Sequence, residues 1–334
     1  MAKPEWLRIG LPAKGYGGTK GLLAGLNITT VCREAKCPNV NECWGNGTAT
    51  FMVLGDVCTR GCRFCNVKTA VRGTEVDANE GDRIAEAVRA MGLKYAVITS
   101  VDRDDLEDFG AGHFAGCVGK VKGEGVKVEV LAPDFQGKVE LVDVVAGSGP
   151  DVYGHNIETV ERLTPKVRDL RAGYRQSLNV LRHVAENYPN IIVKSGIMVG
   201  MGESKGEVIM ALEDLHAAGV RAVTIGQYLA PTRHHYPVSE YVKPERFDEY
   251  SEIAKGIGFG FVASGPFVRS SYRAWEIFGG VGVEHTMCKT KRFAQTSPQG
   301  DAEGGGTPPP SVKEAHIGHG KYSINKSICA EFFL

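Results

Sequence analysis

Two short stretches hold six of the nine cysteines in this chain. In VCTRGCRFCN, residues 57–66, Cys58, Cys62 and Cys65 follow a C-x3-C-x2-C spacing. In VCREAKCPNVNECW, residues 31–44, Cys32, Cys37 and Cys43 follow C-x4-C-x5-C. A disulfide scaffold belongs to short secreted chains, so at 334 residues the crowding points to a reducing compartment and to metal. Structural zinc closes its tetrahedron with four ligands, commonly from CxxC pairs. A cubane iron–sulfur cluster takes four cysteines, one per iron. Each stretch offers three. A three-thiolate cubane keeps one iron open to a substrate or cofactor, as catalytic metals keep an open position. The remaining cysteines, Cys117, Cys288 and Cys329, are scattered, and Cys117 in GHFAGCVGK reads as a small apolar side chain in packing.

Between residues 50 and 265 the chain repeats a strand–helix beat. Short β-rich runs occur at 50–55, 95–100, 126–131, 151–156, 191–199, 222–229 and 260–265. Helical spacing separates several of them. Ile84, Ala87, Val88 and Met91 share a face before Gly92, and Leu178, Leu181 and Val184 share another. Ser204 and Glu207 make a capping box ahead of Val208, Ala211, Leu212 and Leu215, and Gly219 stops that helix. Alternation of this kind implies a parallel sheet. The span is short of the roughly 250 residues of an eight-unit barrel. The expected fold class is therefore α/β, an open partial (β/α) barrel, with a doubly wound sheet as the alternative.

Unusual polar residues gather just after each strand, where such folds keep their sites. They are Cys58–Cys65, Asp102-Arg103-Asp104-Asp105, Pro133-Asp134, His155-Asn156, Gly200-Met201-Gly202-Glu203, Gln227 and the run Arg269-Ser270-Ser271-Tyr272. Composition excludes other classes of function. Lys+Arg and Asp+Glu both number 39, so no global field favours nucleic acid or a membrane surface. No run approaches the roughly 20 apolar residues of a membrane span. The first residues, MAKPEWLRIG, show neither a signal-peptide nor a transit-peptide pattern. Residues 295–313 are rich in Gly, Pro and Ser and are expected to be disordered.

The C-x3-C-x2-C loop, with Phe64 before its third cysteine, resembles the signature of radical S-adenosylmethionine (radical SAM) enzymes. Together with KPEWLR, VCREAKCPNVNECW, SVDRDDL, HNIETVER, GQYLAPTRHH and GPFVRSSY, between about residues 3 and 274, the chain resembles the lipoyl synthase family. The resemblance implies a partial barrel of radical SAM type at 50–265, an N-terminal cluster-binding extension at 1–49, a closure segment at 266–274 and a C-terminal tail at 275–334. It implies two 4Fe–4S clusters. Cys58, Cys62 and Cys65 would hold the one whose open iron binds S-adenosylmethionine and cleaves it to a 5′-deoxyadenosyl radical. Cys32, Cys37 and Cys43 would hold an auxiliary cluster completed by a serine of RSSY, Ser271 by position, with Ser270 the neighbour to compare. An alkoxide is a harder donor than a thiolate, which suits a cluster consumed as the sulfur source. The implied reaction inserts two sulfurs, at carbons 6 and 8 of a protein-bound octanoyl-lysine. The implied partners are octanoylated lipoyl carrier proteins (E2 subunits and the glycine-cleavage H protein) and a ferredoxin-like electron donor. The location is cytoplasmic in bacterial members and the mitochondrial matrix or plastid in eukaryotic ones.

Several residues allow two readings. Asn156 and Glu203 suit the polar groups of S-adenosylmethionine, while Asn156 equally suits a turn bonded to its own backbone. Arg269 and Tyr272 either orient the serine or cap a strand end. His234-His235 is read as a polar loop pair, because adjacent side chains point apart. The acidic run Asp102–Asp108 belongs either to the site or to a solvated helix start. After RSSYRA the family's short A-G-E-F-F-type helix is missing until AEFFL at the end, so residues 275–329 are expected to be a retained intron or gene-model artefact of a eukaryotic gene. Other radical sulfur-inserting enzymes, an iron–sulfur electron carrier and a zinc-stabilised binding module are the competing functions. The N-terminal trio, RSSY and the polar strand ends fit them less well.

Overall fold

The computed structural model describes residues 3–8, 15–45 and 49–278. The expectations for the low-complexity stretch, for Cys288 and Cys329, and for the tail from residue 279 onward lie outside the described residues. No described helix is long and apolar enough to cross a membrane.

The strand–helix beat folds into one parallel sheet. Its strands are β1 (Thr50–Val53), β4 (Tyr95–Ser100), β5 (Lys127–Leu131), β6 (Val152–Gly154), β7 (Ile192–Val199), β8 (Ala222–Gln227) and β9 (Phe261–Gly265). Between the first two lies a small ladder of β2 (Val57–Cys58) and β3 (Lys68–Thr69). The sheet order is β1-β4-β5-β6-β7-β8-β9, so each strand lies beside the one before it in the sheet. A doubly wound sheet reverses direction at a switch point, and this one never does. The ladder ends at β1 and β9, which leaves an open, partial barrel, as the alternation implied. Seven runs read from sequence meet seven strands, each within a few residues of its expected ends.

Helices α4 (Glu80–Ala90), α5 (Ala111–Lys122), α6 (Val139–Gly147), α7 (Thr164–Val167), α8 (Tyr174–Asn187), α9 (Lys205–Ala217) and α10 (Pro244–Ile257) connect the strands. The α9 capping box forms as its sequence demands, with the Glu207 amide donating to Ser204 Oγ and the Glu207 carboxylate accepting from the Ser204 amide at 2.8 Å. Gly219 at φ +86° then turns the chain out of the helix. Ile84, Val88, Leu181, Leu212 and Leu215 are buried together with Phe51, Ile98, Val130, Ile197 and Ile225 of the strands. Each such side chain contributes about 1.5–3 kcal/mol by leaving water. One charged pair shares this interior. Lys194 Nζ on β7 reaches both oxygens of Glu129 on β5 at 2.8 and 2.9 Å, and Tyr95 OH donates to the same carboxylate at 2.5 Å.

The N-terminal extension contains α1 (Tyr16–Gly25), α2 (Val31–Glu34) and α3 (Val40–Gly45). It attaches at the β1 edge of the sheet, where Thr30 bridges Phe51 in antiparallel sense and the Met52 amide donates to Thr29 at 2.9 Å. From the opposite edge, β9 leads into residues 266–278. That segment passes the mouth of the barrel and ends with Phe278 against Tyr95, the first residue of β4, with ring centroids 5.9 Å apart.

Candidate functional site

The loop carrying Cys58, Cys62 and Cys65 leaves β1 through two consecutive left-handed residues, Leu54 (φ +67°) and Gly55 (φ +85°). Their amides converge on the carboxylate of Glu80, at 2.8 and 3.2 Å, a small anion-holding concavity. His113 Nε2 meets the same carboxylate at 2.8 Å. Cys117 is buried, as expected, and its sulfur lies 3.5 Å from that nitrogen.

Arg60, inside the loop, is the anchor. Its side chain is only 3 % exposed, and it meets Asp104 at 2.8 Å, Asp134 at 2.7 Å and Asp102 at 3.2 Å. Asp104 is held low, at about 2, because hydrogen bonds from Arg60, Gln136 and Thr59 outweigh its desolvation. The first members of the acidic run therefore belong to the site's frame. Asp105 instead receives Arg103 at 2.8 Å. Two further segments close on the loop. The Asp169 carboxylate accepts from the Gly61 amide at 2.8 Å, and Arg171 Nη2 donates to the Thr59 carbonyl at 2.7 Å. On the other flank His235 Nε2 meets the Cys65 carbonyl at 3.0 Å, and the Tyr236 amide donates to Arg63 O at 2.8 Å. The two histidines do diverge: His235 packs on the cysteine loop and His234 is exposed.

Each sulfur of the loop receives a backbone N–H. Arg60 N donates to Cys58 Sγ at 3.4 Å, Asp169 N to Cys62 Sγ at 3.3 Å, and Val67 to Cys65. As free thiols the three resist ionisation: burial pushes Cys58 and Cys62 up to about 12 and Cys65 to about 11, and the Asp102 carboxylate adds to this. A bound metal cation reverses that balance, since coordinated thiols are deprotonated. Donors aimed at sulfur in a partly buried loop fit an iron–sulfur cluster.

The second trio lies on the N-terminal extension. Cys32 is on α2, Cys37 follows with its amide on Cys32 O at 3.1 Å, and Cys43 is on α3 with its amide on Asn39 O at 2.9 Å. Burial raises Cys32 and Cys37, whose charges would also oppose each other. The indole N–H of Trp44 is buried and directed at Cys32. That donor favours an anionic sulfur, so this trio fits a cluster as well. No two of the seven described cysteines are joined in a disulfide. Among the described residues no three His, Cys, Asp or Glu side chains converge as ligands of a single ion. A cubane places each thiolate on a different iron.

The structure brings the RSSY segment to this second trio. Asn39 Nδ2 donates to Phe267 O at 2.6 Å across 228 residues of sequence, and Tyr272 OH donates to Glu42 at 3.1 Å. Arg269 is close enough to Cys37 and Glu158 for both charges to offset part of its burial penalty. Gly226 makes this approach possible, because a Cβ there would sit 2.1 Å from Val268 O and 3.2 Å from Arg269 Nη1. The two serines differ. Ser270 Oγ accepts from Asn156 Nδ2 at 2.5 Å, and among the described residues no corresponding side-chain bond is seen at Ser271.

Asn156 also donates to Glu158 at 3.1 Å. Sequence reasoning passed over Glu158, although its motif was in view. Glu158 sits in the left-handed region at φ +65°, its carboxyl is raised by burial, and it lies in the field of Arg168, Arg269 and Cys65. A non-glycine residue held there is a strained position of the kind found at sites. Asn156 and Glu158 thus stand between the two trios. Glu203 is differently employed: its oxygens accept the amides of Gly200 at 2.5 Å and Met201 at 2.9 Å, shaping its own turn. Gln227 and His155 are internal braces. Gln227 holds Val199, Tyr228, Glu240 and Val242, and His155 joins Ala132 O at 2.9 Å to Ser177 Oγ at 2.8 Å.

A family model described as the Radical SAM superfamily matches residues 52–215. Lipoyl synthase of Anaeromyxobacter sp. is 55% identical over 278 residues, 83% of this chain and 95% of that protein. Mitochondrial lipoyl synthase of Branchiostoma floridae is 53% identical over 283 residues, 82% of this chain and 75% of that one. Lipoyl synthase of Methanocella arvoryzae is 50% identical over 288 residues, 85% and 97%. Among solved structures, Streptococcus suis SuiB bound to S-adenosylmethionine superposes with a TM-score of 0.52 at 12% identity, over 64% of this chain and 49% of that one. The chain spans about half the length of SuiB, and this likeness is one of fold. Identity at this level over three quarters or more of each relative's length places the chain in the lipoyl synthase family, the iron–sulfur, S-adenosylmethionine-using radical enzymes of lipoate biosynthesis.

Proposed function

We propose that the two trios hold two separate 4Fe–4S clusters, one ligated by Cys58, Cys62 and Cys65 and the other by Cys32, Cys37, Cys43 and Ser271. The supporting observation is the meeting of RSSY with the N-terminal cysteines, which come from opposite edges of the sheet. When bound, the groups supply the radical that removes hydrogen from unactivated carbon and the sulfur that replaces it. The chain's own residues do the rest. Arg60 and its carboxylates fix the first loop, and Asp169 and His235 hold its flanks. Asn156 and Glu158 offer a donor and a carboxylate to the polar groups of S-adenosylmethionine between the trios, and Glu203 shapes the Gly200–Met201 turn. Asn156 positions Ser270 beside the proposed oxygen ligand Ser271, and Arg269 supplies a cation beside Cys37. Tyr272 ties the segment to α3 through Glu42.

The substrate class is the octanoyl-lysine of lipoyl carrier proteins, converted to lipoyl-lysine by sulfur insertion at carbons 6 and 8, with a ferredoxin-like protein as electron source. E2 subunits and the H protein are the proposed carriers. Relatives named as mitochondrial support an organellar location. The test is anaerobic reconstitution followed by assay on an octanoyl-lysine peptide. About eight irons per chain, S-adenosylmethionine cleavage and two added sulfurs are expected. Ser271→Ala should keep cleavage and lose sulfur addition, and Ser270→Ala should be the milder change. Four irons per chain, or zinc in either trio, would refute the assignment.

A further inference from the structure

The proposed function requires one electron from outside for every S-adenosylmethionine cleaved, so the surface over the first cysteine loop bears on where that electron enters. This surface is built from residues 59–63, 166–171 and 233–236, zipped together by the bonds described above and by Arg63 N to Val167 O at 2.8 Å. At its crest Leu170 is 90 % exposed, an isolated apolar side chain on a braced loop. The neighbouring Asp169 bonds through its amide to Cys62 Sγ, so Leu170 is one residue from a direct contact with a proposed ligand. Within these three segments the exposed charges are of one sign. Arg63, Lys166 and Arg233 are exposed and form no ion pair among the described residues. Arg63 instead lies over the Tyr236 ring at 5.3 Å. Arg171 is 42 % exposed, while its partners Asp169 and Asp104 are only 14 % and 8 % exposed. The acids of this region are turned inward and the bases outward, in a chain whose net charge is zero.

We infer that this face, Leu170 ringed by Arg63, Lys166, Arg171 and Arg233, is the docking surface for a small acidic one-electron carrier protein. The inference rests on the proposed function for the need of a donor, and on charge and proximity for its place. Complementary charge steers such encounters and orients the partner. The reduced carrier loses one electron at the Cys58–Cys65 loop and leaves oxidised, with no proton or atom exchanged across the interface.

The test compares the reconstituted wild type with a Lys166→Glu/Leu170→Asp double variant. The side chains of neither residue bond to the cysteine loop. Arg182→Glu, beside Arg221 where β8 begins, serves as a charge control. Methionine release from S-adenosylmethionine is driven either by dithionite or by a reduced plant-type 2Fe–2S ferredoxin, and the Kd of the oxidised ferredoxin is measured by calorimetry on the same proteins. The double variant should need about tenfold more ferredoxin for half-maximal rate, with a matching rise in Kd, while its dithionite rate stays within about twofold. Moderate salt should weaken wild-type binding to ferredoxin and have less effect on the variant. An unchanged ferredoxin requirement overturns the inference, as does equal loss with both reductants or an equal effect of Arg182→Glu. A raised KM for an octanoylated carrier protein with ferredoxin unaffected also overturns it and assigns the face to that protein. If the wild type fails to cleave S-adenosylmethionine even with dithionite, the functional reading fails, and the Kd comparison still judges the surface.

Discussion

Replacing Arg60 with methionine tests whether the cysteine loop is held by charge. The substitution keeps much of the side-chain volume and removes the cation shared by Asp104, Asp134 and Asp102. Two of those carboxylates are almost inaccessible, at 8 % and 0 % exposure, so water cannot take over from the guanidinium. Asp134 Oδ2 already lacks a partner, which leaves this cluster little slack. Breaking a buried pair by removing one member costs about 3–5 kcal/mol. Unfolding entropy of about 2.1 cal/mol/K per residue gives roughly 0.5 kcal/mol/K for a domain of this size, so Tm should fall by about 6–10 °C at pH 7. The pH dependence has a definite sign. Asp104, held down at about 2, contributes stability that is present above its ordinary value near 4 and is lost as pH falls through about 2. In Arg60→Met the stranded carboxylates should take up protons at higher pH than in the wild type, so the Tm gap narrows on acidification. Calorimetric melts of the reduced, metal-free protein between pH 4 and 8 measure this, with iron retention after reconstitution as a second readout. A loss below about 2 °C at pH 7, or a gap that widens toward pH 4, would refute the electrostatic account.

Three further outcomes are expected. His155 is pushed down to about 4 by burial, so it is neutral in the fold and its contribution is lost as pH falls from 6.5 toward 4, a span worth roughly 3 kcal/mol; urea titrations should show this limb flattened in His155→Gln. Gly226→Ala places a methyl 2.1 Å from Val268 O and should displace RSSY, lowering sulfur addition by at least about tenfold while S-adenosylmethionine cleavage changes little. Lys194→Met strands Glu129 and should destabilise by about 3–5 kcal/mol, whereas adding Glu129→Leu should restore most of the loss, as denaturation midpoints can show.

The strands were legible as short continuous β-rich runs, because this sheet buries both faces, and three of the helices through their 3.6-residue period. Helix α5 was not, since Gly112, Gly116 and Gly119 dilute its pattern and are weak helix formers. Helix α10 hides behind a thin buried stripe of Phe247, Tyr250 and Ala254. At the site, cysteine spacing exposed both trios, because the members of each lie within a dozen residues of one another. The partners that orient them do not. Arg60 and Asp134 lie 74 positions apart, and Asn39 and Phe267 lie 228 apart, so nothing local marks them. The strain at Glu158 is likewise a property of the backbone around it, invisible in HNIETVER. The bond from Asn156 to Ser270 needed the fold to bring the end of β6 and RSSY together.

The sheet's backbone ladder stops at β1 and β9, and where the segments beyond those edges meet, an asparagine amide reaches one carbonyl and a tyrosine hydroxyl one carboxylate. Such a latch is worth a few kcal/mol at most, far less than unzipping any pair of neighbouring strands. The rim can therefore part and re-engage while the scaffold stays intact.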